Sequence, residues 1–148
     1  MAEKQFLGEY LDLVGKALLD FQYIELALKL YIAEAYAIIS SRVEGIVPFK
    51  YDWKDVENEP LGRLLDRFSM ISSDQQLVKD LRPLQKERNK LAHQAYVLTL
   101  EEQSDGDQLE KECVRLKKLR SKNKPLVMRT LEAYGGVQSA RQSILGTR

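Results

Sequence analysis

Between residues 10 and 38 the chain places apolar side chains at alternating spacings of four and three: Tyr10, Val14, Ala17, Phe21, Ile24, Leu28, Tyr31, Ala35 and Ile38. An α-helix turns once in about 3.6 residues, so this rhythm keeps them all on one side of a single rod. A strand would scatter them over both faces, because its side chains alternate every residue. The spacing predicts a long helix over residues 4–41. Leu11, Leu18, Ile32 and Ile39 widen the stripe on one flank. That width suits a bundle helix covered by several neighbours better than a two-stranded seam. Gly8 and Gly15 fall inside the pattern without interrupting it, at a cost of about 1 kcal/mol each relative to Ala.

The rest of the chain reads as shorter helices. Residues 42–60 form a connector with Gly45, Pro48, Asn58 and Pro60. Its Val47, Phe49, Tyr51 and Trp53 imply that it packs down. Asn58 marks a helix start, and Leu61, Leu64, Leu65, Phe68 and Ile71 follow as a short amphipathic helix. Ser73 to Gln76 matches a capping box with Ser73 as the cap. Leu77, Leu81, Leu84, Arg88, Leu91, Ala95 and Leu98 then resume the four–three spacing, with Arg88 in an apolar slot. Pro83 predicts a kink or break near residue 82. A short strand is expected at Tyr96 to Leu100, then a polar loop at 101–107. Leu109, Cys113, Leu116 and Leu119 mark a further helix, which Asn123-Lys124-Pro125 is expected to break. Leu126, Leu131, Tyr134 and Val137 give a last helix weakened by Gly135-Gly136, and 139–148 is expected to fray. The expected fold is all-α, an up-and-down helical bundle of four to five helices with one long N-terminal helix. It forms a single domain over 1–148, with a core at about 5–121 and a peripheral segment at 122–148.

With 148 residues the chain is long enough to bury a core. A formal net charge of +1 gives no global pull toward nucleic acid, so any such attraction is local. One cysteine and one histidine are too few for a zinc cage, and one cysteine leaves no intrachain disulfide. Neither metal nor cofactor is expected. The N-terminus lacks an apolar signal core and no apolar run approaches a membrane span, so a cytoplasmic protein is expected.

His93 is the only histidine, and any imidazole chemistry near neutral pH runs through it. It closes the stretch Arg88-Asn89-Lys90-Leu91-Ala92-His93. At 100° per residue, Asn89 and His93 lie about 40° apart on one helical face, with Lys86 and Tyr96 nearby. Arg88 and His93 are about 140° apart and do not share a face. The residues alone leave two readings open: a polar strip on a bundle helix, or a phosphodiester-handling site made at an interface. Glu87 to His93 resembles the signature of the HEPN superfamily, an arginine, a polar residue and, after an interval, a histidine. The long first helix and the short helix opening Pro60-Leu61-Gly62-Arg63-Leu64-Leu65 are also similar, over about residues 5–100. The resemblance implies a homodimer with motif helices facing each other. It further implies a metal-independent endoribonuclease or RNA-binding protein of a toxin, defence or stress system, with an antitoxin or regulatory partner. In that chemistry His93 is base or acid, Arg88 clamps the phosphoryl oxygens, and Asn89 orients substrate or imidazole. A non-catalytic regulatory module resembling the mannitol repressor is the alternative. Tyrosine stands three positions after His93, at Tyr96, where nucleotidyltransferase-linked toxins carry it at two.

Residues 115–124 hold a basic run, Arg115, Lys117, Lys118, Arg120, Lys122 and Lys124, with no acid among them. Such a run is either a solvated helix face or an edge that meets RNA phosphates, and its Arg115, Lys117, Lys118 and Arg120 form the candidate RNA-binding set with Lys90 and Tyr96. Phe49, Tyr51 and Trp53 either stack bases or pack the connector. Cys113, at a helical apolar position, reads as a buried hydrophobe.

Overall fold

The computed structural model describes residues 2–100 and 106–146, and the side chains of 6–96 and 106–146. Every regular element among them is helical: α1 Ala2–Val43, α2 Trp53–Glu57, α3 Leu61–Ile71, α4 Gln75–Leu81, α5 Leu84–Leu100 and α6 Gly106–Leu145. None is long and apolar enough to cross a membrane.

Side-chain pairs give the topology. α6 meets α1 in ascending order, with Cys113 on Phe6, Lys117 on Glu9, Arg120 on Asp20 and Arg141 on Glu34. The two long helices therefore run parallel. α3 and α5 descend along α1, since Arg67 meets Tyr36, Phe68 packs on Tyr31, and Arg88 reaches Glu25. α6 climbs back past the same elements, from Gln94 with Arg115, through Glu87 with Lys122, to Asp80 with Arg129. The bundle has three arms, up, down and up, and the down arm is the broken series α3, α4 and α5.

One apolar core runs through all three arms. Tyr10, Phe21, Ile24, Leu28 and Ile32 of α1 are fully covered, as are Leu64, Phe68, Leu81, Leu84 and Leu116 opposite them. The breaks in the down arm have local causes. Pro83 follows the end of α4, and α5 restarts with the Glu87 amide on the Pro83 carbonyl at 3.2 Å, so the expected break is present. Gly45, at φ 79°, turns the chain out of α1 and lets the Ile46 and Val47 amides donate to the Val43 carbonyl.

Several expectations need correction. The cap of α4 is Asp74, whose Oδ1 accepts from the Leu77 amide at 3.0 Å, while Ser73 is exposed. A carboxylate at a helix N-terminus also meets the positive end of the helix dipole, which a hydroxyl does not. Asn58 ends α2 rather than starting α3, and Pro60 caps α3 without a side-chain bond. The strand expected at Tyr96 to Leu100 is helical, because extending a nucleated helix is easier than leaving it. The expected side chains of 97–100, and most of the polar loop at 101–107, lie outside the described residues. Most plainly, α6 passes through Asn123-Lys124-Pro125 unbroken. An interior proline costs about 3 kcal/mol, but the buried face runs from Asn123 before it to Leu126 and Thr130 beyond it. Burial of one leucine alone returns about 1.5–3 kcal/mol, and the Ser121 carbonyl that proline leaves unbonded is on an exposed residue. The end expected to fray is helical to Leu145, held by Arg141 on Glu34 at 3.0 Å. The connector packs in part: Phe49 and Tyr51 set their rings edge-on to Tyr36 at 5.4 Å, while Val47 and Trp53 stay exposed.

Candidate functional site

α5 is held on three sides. Leu84 and Leu91 are buried in the core. On the α1 flank, Arg88 Nη1 lies 3.1 Å from Glu25 Oε1, an ion pair without hydrogen-bond alignment. On the α6 flank, Lys122 donates to Glu87 at 3.1 Å and Arg115 donates to Gln94 at 2.8 Å. Asn89, His93 and Tyr96 occupy the fourth side, opposite Leu91, and all three are exposed, Tyr96 to 65%. Lys90 is also exposed.

The structure therefore brings Asn89, His93 and Tyr96 onto one open face and turns Arg88 away from them. Within a single chain the guanidinium and the imidazole do not converge on one point. An exposed imidazole with an amide and a phenol beside it can move a proton, donate hydrogen bonds and stack on a base. Glu25, the partner of Arg88, is barely legible in the sequence. Its side chain is only 15% exposed, and the one signal for it is an acid placed directly after Ile24 in the buried seam of α1.

The basic run is largely neutralised by the fold. Arg115 pairs with Glu112, Lys117 with Glu9, Arg120 with Asp20 and Lys122 with Glu87, at 2.7 to 3.1 Å. The last three of these contacts clamp α6 to α1 and α5. Lys118 and Lys124 are exposed. The Glu87–Lys122 and Gln94–Arg115 pairs put Lys90 and Lys118 at the same level of the α5–α6 groove, which leaves a small basic edge beside His93.

Cys113 is buried and its Sγ approaches the Phe6 carbonyl at 3.8 Å; burial, with Glu9 nearby, pushes its thiol up from the usual value. It is a packing residue, since a nucleophilic cysteine needs its thiolate stabilised. No group of three or more His, Cys, Asp or Glu side chains among the described residues is placed to hold a metal ion. Compared with known proteins, the chain matches no family model, no curated protein and no solved structure.

Proposed function

We propose that this chain is a HEPN-type helical domain that acts on RNA through the outward face of α5, as a metal-independent endoribonuclease of a toxin, defence or stress system. The observation that supports this reading is the position of the sole histidine. It stands with Asn89 and Tyr96 on the side of α5 that no described residue covers. A bundle histidine serving the fold would point into a flank and find a partner there.

Internal attack by a ribose 2′-hydroxyl on its phosphate needs a base for the hydroxyl and an acid for the leaving oxygen. One imidazole does not serve both roles in the same step. Two copies of the chain pairing on their α5 faces supply two His93 side chains to one cleft, one as base and one as acid. Asn89, one turn before each histidine, orients the imidazole or the substrate. Lys90 and Lys118 draw the backbone phosphates in, and Tyr96 offers a ring to a base. Arg88 clamps the phosphoryl oxygens only after exchanging Glu25 for the phosphate. The test is incubation of single-stranded RNA with the protein in EDTA. Cleavage leaving a 2′,3′-cyclic phosphate, lost in His93→Ala with unchanged helical content, supports the reading. RNA that stays intact rejects it.

The resting Arg88–Glu25 pair and the neutralised basic run favour a second reading. In it the chain is a non-catalytic regulatory module, similar to the mannitol repressor, whose α5 face binds a protein. Intact RNA together with unchanged self-association in His93→Ala selects that alternative.

A further inference from the structure

α1 carries a second apolar seam on the side facing away from the core. Leu19, Tyr23, Leu26, Leu30, Ala33 and Ala37 repeat the four–three spacing, about 180° from the buried stripe centred on Phe21 and Leu28. Leu19, Tyr23 and Leu26 are 44%, 47% and 52% exposed. No arm of the bundle lies over this side, because α6 packs on the flank of Glu9, Asp20 and Glu34, and the down arm on the flank of Glu25 and Tyr36. We infer that this seam is the contact for a second copy of the chain, packed antiparallel across a two-fold axis level with Leu28.

Four–three spacing is the pattern of knobs that seat in the holes of another helix. Antiparallel pairing about Leu28 sets Leu19 against Ala37 of the second copy, Tyr23 against its Ala33, and Leu26 against its Leu30. Large side chains meet small ones in the outer layers and equals meet in the middle, which fills the gap evenly. Parallel pairing would oppose Tyr23 to Tyr23 and leave Ala33 opposite Ala33. The ends also match. The Leu19 end of one copy arrives at Ala37 of the other, beside a cavity of about 610 Å³ bounded by Ser40, Glu44, Ile46 and Val47.

Area favours the same arrangement. The seam is about 27 Å long, and one helix width gives only about 300 Å² per copy. An antiparallel two-fold places both α6 helices on the same side, which adds the exposed Met128 edge to the contact. α6 is level with the axis near Gly135, given that Arg141 meets Glu34. A Cβ added at Gly135 or Gly136 meets nothing within 4 Å, so neither glycine is needed by the chain's own packing. Their place beside the axis lets two α6 backbones approach.

The test is the mass in solution by sedimentation, with helical content as a control. Wild type is expected to be at least twice the mass of Leu26→Glu, an exposed change that leaves the fold intact. This interface is separate from the α5 face, so the fall is read whatever the α5 faces do. Register is read by oxidation. The double variant Tyr23→Cys/Ala33→Cys is expected to cross-link between chains, and Tyr23→Cys alone is not. Within one chain those positions are about 15 Å apart, too far for a disulfide, and Cys113 is buried. Equal masses for wild type and Leu26→Glu overturn the proposal and leave the seam to a helix of another protein. Efficient cross-linking of Tyr23→Cys alone overturns the antiparallel register.

Discussion

At the level of single residues, ideal helix geometry already separated Arg88 from His93 and joined Asn89 to it, and the structure keeps both relations. What local spacing does not carry is who each charge meets. Glu25 for Arg88 and Glu9 for Lys117 come from elements far apart in the chain, and only packing brings them together. Arg88→Ala is expected to lower stability by about 1–3 kcal/mol in urea unfolding, because the mostly buried Glu25 loses its partner. His93→Ala, at an exposed position, is expected to stay within about 0.5 kcal/mol of wild type. Asp80 gives a pH signature. Hydrogen bonds from Arg129 and then Gln76 hold its carboxyl below the usual carboxylate range. Its contribution is therefore present above the unfolded-state value and is lost as pH falls through the folded one. The difference in melting temperature between wild type and Asp80→Asn is expected at neutral pH and should shrink as pH falls below the usual carboxylate range. A difference that persists there argues against this pairing.

The elements were legible where pattern and packing agree. The long first helix, the short α3 and the break at Pro83 follow from spacing and from one missing amide. Pro125 carries the same local signal as Pro83 but a different outcome. Around Pro83 the chain turns between α4 and α5, while beyond Pro125 the buried face of α6 continues through Leu126 and Thr130. Tertiary burial outweighed the local break. Pro125→Ala is accordingly expected to raise stability by about 1–3 kcal/mol, since it restores the bond to the Ser121 carbonyl without altering the buried side. No gain in a urea titration would mean that α6 is bent at this point. Asp74→Ala, which removes the α4 cap, is expected to cost about 1 kcal/mol, and Ser73→Ala close to nothing.

For the molecule as a whole, the bundle was legible but its outer surfaces were not. A sequence stripe shows which residues want cover; it does not say which stripe the chain covers itself. α1 has two such stripes, and only the three-arm packing shows that the one at Leu19, Tyr23 and Leu26 is left to solvent. The same holds for α5, where packing leaves the side with His93 open. We propose that two α5 faces, one from each copy, meet and share one RNA-cleaving site. The most direct measurement is RNA cleavage in EDTA by an equilibrated equal mixture of wild-type and His93→Ala chains, compared with wild type at the same total concentration. A site needing one histidine from each copy predicts about one quarter of the wild-type rate, because only the wild-type pairs are active. A rate of about one half would show that each chain acts alone, and no cleavage by wild type itself would contradict the nuclease reading.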